Sequence, residues 1–237
     1  MGRRGLPWYV KCFNLPDFAG HEAPVRVEIV KISSETPESQ LVRYAADQIR
    51  AGEVMGMPTD TFYGLAADPF NLRAVDRVYE IKSRSRHKPL SLLIESVDQA
   101  EELARPLRDE FYKLAEKFWP GPLTIIVKAA SRLPLKVTAN TGNVALRVPA
   151  ATIPLAVIQA ARIPITATSA NLSGASECTT AAQVRDQLQD RISIIVDGGT
   201  SPRDVASTIV DLSDDSGWRI MRGGAIPIEE ISKLFER

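Results

Sequence analysis

The sequence predicts a mixed α/β fold, in which a sheet of parallel and antiparallel strands is flanked by helices. Two observations lead to this prediction. Short apolar or alternating segments, typical of strands, interleave with longer segments whose apolar residues recur at helical spacing. Some strand segments also follow one another without a helix between them, so we expect the sheet to be mixed rather than purely parallel.

The elements begin at about residue 25. The segment VRVEIVKI (25–32) alternates apolar and polar residues, as a half-exposed strand does. A helical pattern follows, and Gly52 stands where a helix C-cap is expected. A short apolar strand then ends at Pro58, and Asn71 is the expected N-cap of the next helix, LRAVDRVYEIK.

Further helix starts are indicated by capping residues. Ser96 with Gln99, and Thr180 with Gln183, have the spacing of capping boxes. Pro106 is expected to restart the helix that follows Ser96. The other predicted elements are strands at 89–94, 123–129, 143–148, 163–169 and 192–199, a helix at 153–162, a hairpin of 207–212 with 218–222, and a short helix after 227.

The chain of 237 residues has no internal repeat, no low-complexity linker and no clear change of composition along its length. We therefore predict one catalytic domain over residues 25–237. Residues 1–24 are irregular and contain several aromatic residues, and we interpret them as an N-terminal extension.

Composition excludes several classes of function. There are 29 Lys and Arg and 29 Asp and Glu, so the net charge is zero, which argues against a tight, sequence-blind nucleic-acid binder. Cys12 and Cys178 are far apart, which predicts a reducing, cytoplasmic location without a disulfide. His21 and His87 have no ligand-spaced neighbours, so we expect no zinc site. No apolar stretch reaches membrane-spanning length, so we expect no membrane partner.

The segment PTDTFYGLAADPFN (58–71) places small oxygen-bearing side chains and a phenol at the end of a buried strand. These are Thr59, Asp60, Thr61 and Tyr63. Such a set of hydrogen-bonding groups is suited to a small polar ligand, since a polar pocket demands a partner for each buried group.

Two further segments favour an anion. KSRSRHK (82–88) concentrates four cations, and Lys82 and Arg84 project to one side if the backbone is extended. In TATSANLSG (166–174), Ser169 and Asn171 stand two residues apart at the end of a strand. Each segment also has an ordinary interpretation, as a solvated basic turn and as a turn whose side chains bond their own backbone.

Arg147 lies on an otherwise apolar strand, so it requires either a protein carboxylate or a ligand carboxylate as partner. Ser207 and Arg222 stand near the ends of the last hairpin, where a Gly-Gly pair follows Arg222. The sequence contains no P-loop, no dinucleotide-binding glycine motif and no serine-hydrolase elbow. From these residues we conclude that the chain binds an anion or a nucleotide.

A series of motifs resembles those of the threonylcarbamoyl-AMP synthases, the YrdC-like domain. They occur in the family's order, over about nine tenths of the chain, and are MPTDTFYGLAADPFN, KSRSRHKPLSLLI, WPGPLTIIVKA, VALRVPA, ITATSANLSG, DGG, STIVDL and IMRGGAI. The resemblance implies an open, twisted α/β fold with a concave ligand-binding face. It also implies that ATP, L-threonine and bicarbonate give threonylcarbamoyl-adenylate and pyrophosphate, for the threonylcarbamoyladenosine modification of tRNA.

The resemblance also implies roles for matching residues. Lys82 and Arg84 would be the catalytic pair on the ATP phosphates. The other ATP-binding residues would be Asn143, Ser169, Asn171 and Arg222, and the threonine-binding residues would be Thr59, Tyr63, Arg147 and Ser207. Mg²⁺ would be held by the ATP phosphates, without a protein side chain as ligand. We expect Lys82→Ala to impair adenylate formation severely and to leave the fold intact.

Some features depart from the family. Ser85 stands where many members have proline, and residues 1–24 have no counterpart. By its length the chain resembles the short form of the family, which implies a separate threonylcarbamoyl-transferase complex that modifies tRNA. Two alternatives remain, namely an RNA-binding accessory protein without catalysis and a carbamoyl-adenylate-forming enzyme like the related domain of hydrogenase maturation factors.

Overall fold

The computed structural model describes residues 27–202, 205–215 and 217–235. The predicted N-terminal extension, with Cys12 and His21, lies outside the described residues. The mixed α/β class is confirmed, with strands and helices at nearly all of the predicted places. Within the described ranges, no helix has the length and apolar character needed to cross a membrane.

The elements are short. The strands are β1 (Glu28–Lys31), β2 (Met55–Met57), β3 (Gly64–Ala66), β4 (Ser91–Leu93), β5 (Leu123–Lys128), β6 (Asn143–Arg147), β7 (Ile165–Thr166), β8 (Thr168–Ser169), β9 (Ile194–Asp197), β10 (Thr208–Asp211) and β11 (Arg219–Arg222). The helices are α1 (Ser39–Ala51), α2 (Leu72–Lys82), α3 (Val97–Leu103), α4 (Asp109–Phe118), α5 (Leu135–Thr138), α6 (Thr152–Ala161), α7 (Ala181–Leu188) and α8 (Ile228–Ser232).

The first sheet has the order β1-β9-β2-β3-β8. Strands β1, β9 and β2 are parallel, and β3 and β8 continue the sheet in antiparallel pairs. Met55 and Met57 point into an apolar cluster that contains α1 and α6. On the other face, Gly56 lies against Val184 of α7. Both faces of this sheet are therefore covered, which explains why β2 is apolar along its whole length.

The second sheet has the order β11-β10-β5-β6-β4-β7 and is also mixed. One face carries Leu123, Ile125 and Leu146, which share a buried apolar cluster with Phe111 and Leu114 of α4. Residues of the opposite face line a cavity that is described below. One side of this sheet therefore supports the fold and the other presents side chains to a ligand.

We expected a single sheet, and the strands are instead divided between two. The reason lies in the predicted strand 163–169, which is interrupted at Ala167. Strand β7 pairs with β4 in the second sheet, and β8 pairs with β3 in the first. Apolar pattern alone does not show that one extended segment changes its partner, so the two sheets could not be separated from the sequence.

Most of the predicted helix ends are confirmed. Gly52 has φ 96°, in the left-handed region, and Asn71 accepts hydrogen bonds from the first turn of α2. The capping box of Thr180 and Gln183 is complete. At α3, Ser96 caps the amide of Gln99, but the Gln99 side chain accepts from Glu95 instead of Ser96.

Two predictions at helices were wrong or incomplete. The second helix after Ser96 begins at Asp109 and not at Pro106, and Ala104 forms an isolated bridge with Ala129 in the interval. Helix α5 was not predicted. The predicted hairpin is confirmed as the antiparallel pair of β10 and β11.

Candidate active site

A cavity of about 210 Å³ lies where residues of the two sheets meet. The second sheet contributes Leu93, Thr124 and Ile209 to one wall, and the connection from β2 to β3 contributes another wall. Seven of the ten predicted site residues line this cavity, namely Thr59, Tyr63, Arg84, Arg147, Ser169, Ser207 and Arg222. Residues that are up to 163 positions apart in sequence are thus brought to one place (Thr59 to Arg222).

The segment from Thr59 to Tyr63 forms a polar turn at the end of β2. The Thr59 hydroxyl donates to the carbonyl of Phe62 at 2.7 Å, and it accepts from the amide of Thr61 at 3.1 Å. Tyr63 is fully buried, and its hydroxyl donates to the carbonyl of Gly199 at 2.6 Å. Burial raises the pKa of Tyr63 to about 12, so the phenol stays protonated. These contacts hold the turn in one shape at the cavity wall.

Arg147 at the end of β6 is buried and has a protein carboxylate beside it. Its guanidinium lies 2.5 Å from Oδ1 of Asp60. It also donates to the carbonyl of Gly121 at 2.9 Å and to the hydroxyl of Thr61 at 3.1 Å. Of the two partners that the sequence left open for Arg147, the structure supplies the protein carboxylate, while the same side chain also lines the cavity.

Lys82 connects the two predicted anion motifs. Its ammonium donates to the carbonyl and to the side-chain oxygen of Asn171, both at 2.8 Å, and to the carbonyl of Ser169. Lys82 is 2% exposed, and this burial lowers its pKa to about 8. Three strong acceptors around one nitrogen favour the ammonium form at neutral pH, because a neutral amine has two protons to donate.

The extended backbone that we expected between Lys82 and Arg84 was wrong. Lys82 is the last residue of α2, and Ser83 is its C-cap with φ 49°. The two cations therefore have separate surroundings. Arg84 is half-buried at the cavity wall and donates to the carbonyl of Pro89 at 3.0 Å. Burial lowers its pKa below the ordinary value.

Arg222 and Ser207 also line the cavity, and we call this side its mouth because Arg222 is exposed. The Arg222 guanidinium donates to the Ser207 carbonyl at 2.9 Å and to its hydroxyl at 3.0 Å. That hydroxyl also lies 2.9 Å from the hydroxyl of Thr124 on β5. Partial burial lowers the pKa of Arg222. This arrangement holds a cation and two hydroxyl groups next to one another at the mouth.

Three predicted residues are outside the cavity lining. Lys82 and Asn171 stand directly behind it and bind each other. Asn143 is half-buried at the opposite end of β6 from Arg147, where its backbone amide donates to the Thr141 hydroxyl. The structure therefore brings nine of the ten predicted residues together and places Asn143 about 13 Å along the strand from Arg147.

Three cavity or near-cavity residues had no predicted role. Asp60 belongs to a segment that the sequence singled out, but nothing in its spacing indicated the pairing with Arg147. Thr124 follows the WPGP turn, and its contact with Ser207 joins residues 83 positions apart. Glu177 lies in the loop between β8 and α7, without any motif signal.

Comparison with known proteins identifies a family for this arrangement. The model of the Sua5/YciO/YrdC family, described as telomere recombination, matches residues 47–224. A threonylcarbamoyl-AMP synthase of Pyrococcus abyssi is 39% identical over 203 residues, which are 85% of this chain and 59% of that protein. One of Bacillus subtilis is 38% identical over 206 residues, which are 86% of this chain and 58% of that protein.

The fold agrees with solved structures as well. The crystal structure of P. abyssi Sua5 complexed with L-threonine has a TM-score of 0.84 and 38% identity, and covers 88% of this chain and 61% of that one. The chain thus spans about three fifths of the length of these relatives. From the family model, the sequence identities and the shared fold, we conclude that the chain belongs to the Sua5/YciO/YrdC family.

Proposed function

We propose that the protein is an L-threonylcarbamoyladenylate synthase, which forms the adenylate and pyrophosphate from ATP, L-threonine and bicarbonate. One observation carries this proposal. Arg84, Arg147 and Arg222 share a cavity with the hydroxyl groups of Thr59, Ser169 and Ser207. Such a cavity is suited to two anionic substrates that also require hydrogen bonds. Two relatives named threonylcarbamoyl-AMP synthase and a related structure that is complexed with L-threonine support the same conclusion.

In this proposal the phosphates lie between Arg84 and Arg222, near the mouth. Guanidinium groups bind phosphate oxygens with paired hydrogen bonds. Lys82 acts from behind the wall, because its ammonium is already bound to oxygens of Ser169 and Asn171. Its charge adds to the positive potential, and its hydrogen bonds fix the position of Ser169 in the lining. We propose Asn143 as a further nucleotide contact, toward the base end of the site.

Threonine would lie deeper, between the polar turn and Arg147. Thr59, Tyr63 and Ser207 supply hydrogen-bonding groups on its two sides. Arg147 would hold the substrate carboxylate while Asp60 keeps its guanidinium in place. A second carboxylate beside this pair would be drawn to the same guanidinium, which has donors in several directions.

The chemistry uses positioning and charge and requires no protein nucleophile. The amine of threonine attacks bicarbonate to give a carbamate and a water molecule, and the carbamate oxygen then attacks the α-phosphate while pyrophosphate leaves. Holding the two anions in one cavity removes most of the entropy of their encounter, and the arginines stabilise the charge that develops on the phosphate. Exclusion of water from a small cavity also protects the carbamate.

A divalent cation fits the donor set of the cavity, because the lining includes the carboxylate of Glu177 in addition to the arginines. Mg²⁺, when bound with the triphosphate, would neutralise phosphate charge. We further propose that the product serves the threonylcarbamoyl modification of tRNA in the cytoplasm, with a separate transferase complex downstream.

The test is a reaction with labelled threonine, bicarbonate, ATP and the purified full chain, followed by mass spectrometry. The expected result is an adenylate and pyrophosphate that both require threonine. Absence of a threonine-dependent adenylate would contradict the proposal. Salt-sensitive RNA binding without ATP turnover would support an accessory protein, and turnover with carbamoyl phosphate in place of threonine would support a carbamoyl-adenylate enzyme.

A further inference from the structure

Glu177 is a cavity residue to which the proposed reaction assigns no contact with threonine or with ATP. It lies in the loop between β8 and α7 and is half-buried. Among the described residues that line the cavity, it is the single carboxylate. The other charged residues of the lining are the guanidinium groups of Arg84, Arg147 and Arg222. A negative charge at the surface of a site for anions therefore requires an explanation.

The carboxylate of Glu177 is not engaged by the protein in the way that Asp60 is. Asp60 is paired with Arg147 at 2.5 Å. Glu177 makes no side-chain hydrogen bond and no ion pair within the described ranges, although three arginines share its cavity. Its oxygens are therefore available to a ligand.

Glu177 stands near the residues that we assign to the phosphates. Burial lowers the pKa of Lys82 and of Arg222, and the charge of Glu177 acts in the opposite direction on both groups. Glu177 is thus close enough to affect both Lys82, behind the cavity wall, and Arg222, at the mouth. A triphosphate that lay between these cations would meet a like charge at Glu177, which is unfavourable unless a cation lies between them.

We propose that Glu177 is a protein ligand of the divalent cation that accompanies the triphosphate. This inference depends on the proposed function, because it takes ATP to be the occupant. Mg²⁺ is usually bound through one or two carboxylates together with substrate phosphates, and it retains several waters. Glu177, a single carboxylate beside the proposed phosphate site, is suited to this kind of Mg²⁺ binding. The proposal replaces our expectation that no protein side chain binds the metal.

The proposal predicts that Glu177→Gln changes the affinity for ATP in opposite directions with and without the metal. Without a divalent cation, Glu177 repels the triphosphate, so Glu177→Gln should bind ATP more tightly than the wild type, by about fivefold. With Mg²⁺, the carboxylate attracts the complex, so the same variant should bind about tenfold more weakly than the wild type. A residue that merely balances the neighbouring cations would give tighter binding under both conditions.

The experiment is a calorimetric titration of ATP into the full chain, without threonine and bicarbonate so that no turnover occurs. Wild type, Glu177→Gln and the matched control Glu116→Gln, an exposed residue of α4, are each compared in EDTA and in excess Mg²⁺ at constant ionic strength. A crossing of the two Glu177→Gln effects, with no change in Glu116→Gln, is the expected result.

Other outcomes overturn the proposal. If Glu177→Gln binds ATP more tightly than the wild type, and equally so with and without Mg²⁺, then Glu177 only balances the charge of the neighbouring cations. Equal weakening in both, together with an unchanged affinity for 2′-deoxy-ATP, would make it a ribose contact. If the wild type binds no ATP under either condition, the proposed function itself fails, whereas normal ATP binding without the crossing removes the metal role alone.

Discussion

Two pairs of cations surround the same cavity and are held in different ways. Lys82 and Arg147 are buried, and protein oxygens surround both charged groups. Arg84 is half-buried and Arg222 is exposed, and both are fixed mainly through backbone carbonyls. A buried charge without a partner is costly, so the inner pair must be satisfied by the protein itself. The inner pair therefore supports the fold in addition to the role in function that we propose for it, and we expect removal of the outer pair to cost little stability.

The largest expected effect is at Arg147. Its replacement by alanine leaves the buried carboxylate of Asp60 uncompensated, which should lower the free energy of unfolding by about 3–5 kcal/mol. Urea denaturation measures this difference. The double variant Arg147→Ala/Asp60→Asn should recover part of the loss, because the buried charge is removed as well. Unchanged stability of the single variant would show that this pair does not support the fold.

A smaller loss is expected at Lys82. Lys82→Met removes the ammonium donor from the carbonyls of Ser169 and Asn171, and it leaves the Asn171 side-chain oxygen with the Ser169 hydroxyl as donor. We therefore expect a loss of about 2–3 kcal/mol in the free energy of unfolding. The fold itself should persist in this variant, with a lower free energy of unfolding. Lys88→Met, an exposed lysine of the same segment, is the matched control and should be neutral. Equal stability of the two variants would contradict the buried role of Lys82.

The pH dependence of stability should report the same group. Burial lowers the pKa of Lys82 from its ordinary value of 10.5 to about 8. Between these values the unfolded chain binds a proton that the folded chain has lost, so stability rises with pH across this window. From pH 8 to 10 the wild type should gain on the order of 2 kcal/mol relative to Lys82→Met in chemical denaturation. If the free energies of unfolding of the two proteins change in parallel with pH, the lowered pKa of Lys82 is contradicted.

Arg222→Ala should have the smallest effect on stability, within about 0.5 kcal/mol, because the residue is exposed and the Ser207 hydroxyl keeps its contact with Thr124. Its ATP affinity should nevertheless fall by about tenfold through loss of a charged hydrogen bond. Calorimetry and urea denaturation of the same sample separate the two effects. Arg185→Ala, an exposed arginine of α7, is the control. A large loss of stability in Arg222→Ala would remove the distinction between the inner and outer cations.

The sequence predicted the elements of the fold better than their assembly. Gly52, Asn71 and Thr180 carry local signals for helix ends, and the structure has those ends where the signals predict them. The division into two sheets depends on which strands pair, and the change of partner at Ala167 has no local signature. Long-range pairing is decided by packing, which a local pattern does not contain.

The same limit applies to the site. The residue types at Lys82, Ser169 and Asn171 indicated anion binding, but an extended backbone was assumed where a helix ends, and the direct contact between these residues was not foreseen. Asp60 and Glu177 are both acidic residues near the cavity. One is bound to Arg147 and the other faces the cavity, and no feature of the sequence distinguishes them.

A crystal structure of the protein with L-threonine and a non-hydrolysable ATP analogue would show whether the two substrates share the cavity. We expect both molecules inside it, with the triphosphate between Arg84 and Arg222 and the threonine carboxylate beside Arg147. Binding of either molecule elsewhere, with this cavity filled by water alone, would contradict the proposed function.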